Sequence, residues 1–226
     1  MAGTVGAQVW WAKPQDATPA LMILLDDIEQ QRWTGYRRDE DRQRFLVGCA
    51  LAKTAIGRVS GRDPARVSLD RTCSECGKPH GKPQVKDSDL QLSVSHSGDR
   101  VAVAVMPGLP VGVDVERVRD THDRESLQRY VMAESETGDL FTAWTRKEAV
   151  TKATGDGLRV SFKEVVLAED PPRVLAWPYA APPSGVTLFD LDPGPGYVAA
   201  LAVIGQCDGF VSQDGTALLA ENIGRL

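Results

Sequence analysis

Apolar residues recur at helical spacing between Asp39 and Gly57, where Phe45, Leu46, Cys49, Ala50 and Ala52 fall on one side of DEDRQRFLVGCALAKTAIG. The pattern predicts a helix, with Gly57 as its stop. A second long helix is predicted over Asp139–Thr154 and a short one over Ser126–Met132. Strand-like runs at Leu90–Ser95 and Val101–Met106 flank HSGDR and predict a hairpin with His96 in its turn. MPGLP at 106–110 breaks the pattern, and VGVDVE opens a third strand at Val111. Further short strands (Val165–Leu167, Val186–Leu191, Tyr197–Val203) alternate with Pro/Gly-rich turns, and from about Gln213 the pattern reads as a loose tail.

FLVGCALAKTAIG at Phe45 and FTAWTRKEAVTKATG at Phe141 both carry an Ala, a Lys three residues on, and then a Gly. Each precedes strand-like segments. Chance likeness between two amphipathic helices is the competing explanation. If the echo is a repeat, the chain is an α+β fold of two similar halves, 1–106 and 107–226, with a ligand cleft between them.

The bulk numbers narrow the classes. The 226 residues are 42% apolar and 25% charged, as in an ordinary folded protein. The net charge of −5 argues against a dedicated nucleic-acid binder. No apolar run is long enough to span a membrane, and the N-terminal pattern is not that of a signal peptide. Four cysteines do not make a disulfide scaffold in a chain of this length. A cytoplasmic location is expected.

Asp114 and Glu116 lie two apart in VGVDVE, so both point to one strand face, about 7 Å apart, while Val111, Val113 and Val115 point to the other. Two acids so placed repel unless a cation neutralises them, and magnesium takes oxygen ligands of this kind. A solvated strand face is the alternative. In WTRKEAVTK, Trp144, Glu148 and Lys152 form one helical stripe. Glu148 suits a metal shell and Lys152 a phosphate; an ordinary surface Glu–Lys pair beside a buried Trp is the alternative.

GVDVE followed by W-T-x-K-E-A-x-x-K resembles the paired signatures of the phosphopantetheinyl transferase superfamily, carried here by Gly112, Asp114, Glu116, Trp144, Lys147, Glu148, Ala149 and Lys152. HGKPQV (80–85), SVSHSGD (93–99), the helix with Arg44 and the closing DPGPGYVAALAV extend the resemblance to the surfactin-type, monomeric, two-half members. That resemblance implies transfer of 4′-phosphopantetheine from coenzyme A to a serine of an apo acyl or peptidyl carrier protein. It implies magnesium held by Asp114, Glu116 and Glu148, and catalysis by Glu148, Lys152 and Asp114. The base is Glu148 or a metal-bound water. It further implies coenzyme A contacts from Arg32, Arg44, Lys82, Ser95, His96 and Lys152, with His96 and Arg44 on the 3′-phosphate and Lys82 beside the adenine. The family often places a small hydroxyl residue after the arginine matching Arg44; here Phe45 stands there. Carriers of fatty acid, polyketide and nonribosomal peptide synthesis are the partner class.

Three features stand outside this assignment. No G-x-S-x-G elbow surrounds Ser95 or Ser97, which argues against a serine hydrolase. Cys73, Cys76 and His80 form C-x-x-C-x-x-x-H, three ligands where structural zinc takes four; a tight turn leading into Gly81-Lys82-Pro83 explains them equally. Arg117, Arg119, Arg124 and Arg129 follow the acidic motif, as solvated charges or as a face for an acidic carrier, with Leu127, Tyr130, Val131 and Met132 as its apolar floor.

Overall fold

In the computed structural model, residues 6–73, 75–120, 123–179 and 185–224 are described. Strand β1 (Ala7–Ala12) leads through two 3-10 turns to helix α1 (Asp27–Gly35) and helix α2 (Asp39–Ser60). Short strands β2 (Leu69–Asp70) and β3 (Gln84–Val85) precede the hairpin of β4 (Leu90–Ser97) and β5 (Arg100–Pro107). Then come β6 (Val111–Arg117), α3 (Arg124–Val131) and α4 (Leu140–Thr154). The chain closes with β7 (Val166–Ala168), β8 (Arg173–Ala176), β9 (Val186–Leu191), β10 (Tyr197–Ile204), β11 (Phe210–Asp214) and α5 (Gly215–Ile223).

The fold is α+β, as expected. A six-stranded sheet runs β11-β1-β5-β4-β3-β2, a three-stranded sheet β6-β10-β9, and β7-β8 form a small ribbon. Alternation along the strands explains the layering. Val101, Val103 and Val105 of β5 join α2 and Leu218 and Leu219 of α5 in one core. Their neighbours Ala102, Ala104 and Met106 face Val111, Val113, Val115 and Leu201 of the second sheet in another. On the far side of that sheet, Ala200 and Ala202 meet Ala149, Val150 and Ala153 of α4. The two sheets thus pack face to face, and each carries a long helix on its outside.

Three expectations are corrected. The predicted loose tail is ordered: Gln213 and Asp214 end β11, which pairs in parallel with β1 from Ala7 against Phe210 to Trp11 against Asp214, and α5 follows with Leu218 and Leu219 in the first core. Gly57 does not end α2, which runs on to a left-handed cap at Gly61 (φ 73°). Gly57 is a glycine because a Cβ there would stand 2.8 Å from Arg62 O and 2.9 Å from Pro64 Cγ, where the chain folds back on the helix. His96 is not in the hairpin turn: it pairs with Val101 within β4–β5, and the turn is only Gly98-Asp99. Gly98 adopts φ 54° there, which lets so short a link close the hairpin.

Candidate active site

The sheets meet along β4 and β6, and the bonding there is unusual. The hydroxyls of Ser93, Ser95 and Ser97 accept hydrogen bonds from the backbone N–H groups of Val113, Val115 and Arg117, at 3.0, 3.3 and 3.1 Å. Alternate side chains of one strand therefore satisfy the free edge of the other, which would otherwise be costly to bury. With its valines committed to the core between the sheets, β6 turns Gly112, Asp114 and Glu116 toward α4. A Cβ on Gly112 would lie 2.0 Å from Ala149 O and 2.5 Å from Ala153 N. The glycine lets helix and strand touch, and that contact brings Lys152 to Asp114.

Lys152 Nζ donates to Asp114 Oδ1 at 2.6 Å and to Ser95 Oγ at 3.1 Å, and Ser95 Oγ donates to the same Asp114 oxygen at 2.7 Å. Asp114 Oδ2 is buried with no hydrogen-bond partner. Glu148 is 9% exposed, and burial, reinforced by the charges of Asp114 and Glu116 and opposed by Lys152, raises its pKa to about 7. Burial also raises that of Glu116, against a hydrogen bond from Ser97. The three carboxylates line one cavity of about 360 Å³, but among the described residues only Cys73, Cys76 and His80 hold three candidate ligand atoms within 4.8 Å of one another.

The opposite wall is cationic. Arg32, Arg44, Arg71 and His96 line the cavity with Tyr36, Phe45 and Trp144. Arg44 is held by Gly98 O (2.7 Å), Asp41 (2.8 Å) and Glu40 (3.2 Å), and Arg32 lies over the Phe45 ring at 5.1 Å. Phe45 thus supports an arginine from the position where the family often carries a hydroxyl. His96 is exposed at the mouth, yet desolvation by the surrounding wall, then the charges of Lys152 and Arg44, lowers its pKa. A second hollow of about 480 Å³ shares Arg44 and His96 and adds Arg117 and Arg119.

The structure brings together Asp114, Glu116, Glu148, Lys152, Ser95, His96, Arg44 and Arg32. Lys82 stands apart from the cavity lining: its Nζ donates to Ala153 O at 2.6 Å, and burial lowers its pKa to about 8. Lys147 of the motif is fully buried and ties α4 to Val131 O, Glu136 and Phe162 O, a structural post. Sequence reasoning missed Arg71, whose Nε is buried in the cavity wall without a partner. It belongs to no motif, and no local pattern in the sequence singles it out. The apolar floor expected beneath the arginines is also corrected. Val131 and Met132 are buried against Leu140 and Phe162, so Tyr130 (50% exposed) and Val118 (42%) are the apolar surface left. Thr121 and His122, within that arginine segment, lie outside the described residues.

Three carboxylates, with Lys152 paired to one of them, share a cleft with guanidinium and imidazole groups, a set that suits a polyphosphate bridged by a cation. The chain also resembles known proteins. Residues 8–108 match the family described as 4′-phosphopantetheinyl transferase, N-terminal, and residues 110–181 match the 4′-phosphopantetheinyl transferase superfamily. The chain is 30% identical over 210 residues to the 4′-phosphopantetheinyl transferase HetI of Nostoc sp., covering 85% of this chain and 84% of that protein. It is 26% identical over 187 residues to a 4′-phosphopantetheinyl transferase of Bacillus subtilis (76% and 80% covered). It is 31% identical over 175 residues to psf-1 of Bacillus pumilus (70% and 73% covered). The chain belongs to the 4′-phosphopantetheinyl transferase superfamily and is a transferase of that type. Among the described residues no helix is long and apolar enough to cross a membrane.

Proposed function

We propose that the protein transfers 4′-phosphopantetheine from coenzyme A to a serine hydroxyl of an apo acyl or peptidyl carrier protein, releasing adenosine 3′,5′-bisphosphate. The observation that carries this reading is the cavity itself, with three acids facing Lys152, Arg32, Arg44, Arg71 and His96. That is the charge pattern a pyrophosphate with a bound divalent cation requires.

The acids fit magnesium. Asp114 Oδ2 is buried and unpartnered, and burial holds Glu116 and Glu148 toward their protonated forms, an arrangement a divalent cation relieves. Asp114, Glu116 and Glu148 are the proposed ligands. The ion would offset negative charge on the pyrophosphate during transfer. Lys152, steered by Ser95 and Asp114, neutralises a phosphoryl oxygen. Glu148, buried in the cavity wall, is the proposed acceptor of the attacking serine's proton. Arg44 and His96 meet the 3′-phosphate, Arg32 supports them, and Lys82 is the proposed neighbour of the adenine. The proposed organisation is a monomer, acting in the cytoplasm, of a half over 1–106 that holds the nucleotide and a half over 107–226 that holds magnesium and carrier.

Incubation with coenzyme A, magnesium and an apo carrier tests this. A mass gain of one phosphopantetheine on the carrier serine is expected. Cleaved coenzyme A with an unmodified carrier would make the protein a hydrolase, and intact coenzyme A a binding module.

A further inference from the structure

The loop between β2 and β3 folds into a tight knuckle that the transfer reaction does not use. Cys73 N–H donates to Lys78 O and Gly77 N–H to Cys73 O, both at 2.9 Å, with Gly77 at φ 70°. This winding turns Cys73, Cys76 and His80 toward one point. Cys76 Sγ lies 2.9 Å from His80 Nε2, and all three ligand atoms are within 4.8 Å of one another. Ligands around a tetrahedral zinc stand about 3.5–3.8 Å apart, as its bond lengths require, so side-chain adjustments of up to about 1 Å bring the three atoms to those separations. The set is two thiolates and an imidazole, which selects zinc over the hard cations suited to the carboxylate site.

We propose that Cys73, Cys76 and His80 bind one zinc ion, separate from the carboxylate site, with a fourth position open to solvent. Among the described residues no fourth Cys, His or acid joins the cluster. The ion fastens the loop that follows Arg71 of the cavity wall. Arg71 precedes the knuckle and accepts Gly81 N–H on its carbonyl at 2.7 Å. Pro79 O accepts from Arg32 at 3.3 Å, Lys82 bonds Ala153 O, and Glu75 pairs with Arg159 just past α4. A short loop with little apolar burial is the kind of segment a metal orders.

The test uses the full chain, reduced and stripped of metal with a chelator, and titrated with Co²⁺ as a spectroscopic probe. One equivalent should give thiolate-to-cobalt charge-transfer absorption with the visible bands of a tetrahedral site, and zinc should erase both. Losing a group that merely orients a metal ligand costs roughly 10–100-fold in metal affinity, so Cys76→Ser and His80→Ala, which remove ligands, should each weaken binding by more than about tenfold. Asp114→Ala should leave the bands intact. Zinc should also slow hydrogen exchange across residues 71–82. An absent thiolate band, bands unchanged in Cys76→Ser or His80→Ala, or a Cys73–Cys76 disulfide recovered under the same reductant would overturn the proposal.

Discussion

Helices α2 and α4 lie on the outer faces of the two sheets and share the local pattern Ala, then Lys three residues later, yet the two lysines do different work. Lys53 of α2 is 2% exposed; its Nζ donates to Leu24 O at 2.6 Å and pairs with buried Glu29 at 2.7 Å. The side chain of Lys152 in α4 is 28% exposed and faces the cavity, where it pairs with Asp114. The residues four before them differ in the same sense. Cys49 is a thiol that burial pushes up to about 12, chemically inert, whereas Glu148 is a carboxyl near neutrality. The same helical spacing gives a structural post on α2 and a cavity-lining Glu–Lys pair on α4. What decides is the strand or loop opposite: acids on β6 beside a cavity in one case, a closed α1 segment in the other.

The largest expected effect separates the halves by activity. Asp114→Ala and Glu148→Ala should each slow transfer about a thousandfold, as loss of well-placed charge stabilisation does, while the protein still folds. Carrier mass spectrometry at saturating magnesium measures this. Near-parent turnover in either variant would remove the carboxylates from the chemistry.

Lys53→Met should do the reverse. It leaves Glu29 buried and unpaired, at a cost of about 3–5 kcal/mol, read by urea unfolding. Adding Glu29→Leu should recover much of the loss, and folded protein should turn over at the parent rate. A Lys53→Met protein that is stable but slow would mean that α2 also contributes to the chemistry.

Titration of Glu148 sharpens the contrast, because Cys49 cannot titrate in the same range. With a chelator present, below about pH 4.5 both folded and unfolded forms are protonated and the residue contributes nothing. As pH rises toward 7 the folded state keeps the proton the unfolded state has lost, so stability falls; above 7 the full penalty applies. Glu148→Gln should therefore stabilise the protein by up to about 3 kcal/mol at pH 8 and not at pH 4. Magnesium should stabilise the parent more at pH 8 than at pH 5. A flat difference between parent and variant across this range would refute the raised carboxyl.

His96→Ala should weaken coenzyme A about tenfold and dephospho-coenzyme A much less, since a shared partner makes the two deletions non-additive. Equal losses by calorimetry would make His96 a support for β4 and not a phosphate contact.

The site was legible where chemistry and periodicity coincide. GVDVE alternates valines with acids, and the Trp144–Glu148–Lys152 stripe follows from helical spacing, so both could be placed before any contact was known. The Ser93–Ser95–Ser97 ladder was not legible, because a serine in a strand does not announce that its hydroxyl will replace a backbone partner. Nor was Arg71, since its role depends on a loop folding back across the cavity. The strand at 210–214 was misread because its pairing partner lies at the other end of the chain, at 7–11. Lys147 matched the motif as well as Lys152 did, and only the structure shows that one is a fully buried post while the other faces the cavity.

The smallest expected effect concerns the exposed surface of α3. Arg124 and Arg129 are exposed on α3, beside exposed Tyr130. Each already has an acidic neighbour: Arg124 pairs with Asp139 at 3.4 Å and Arg129 with Glu125 at 3.2 Å. Part of their charge is therefore offset within the protein, and exposed pairs are worth about 0–1 kcal/mol each. A carrier docking here would be steered by what remains, so reversal should act modestly and on encounter more than on chemistry. Arg124→Glu with Arg129→Glu should raise the carrier's KM by about three- to tenfold and leave the coenzyme A KM unchanged. The parent's carrier KM should rise with salt, as charges screened within about 8–10 Å require, and the variant's should rise less. Carrier kinetics and salt dependence unchanged by both reversals would place the docking face elsewhere and leave these arginines as solvating charge.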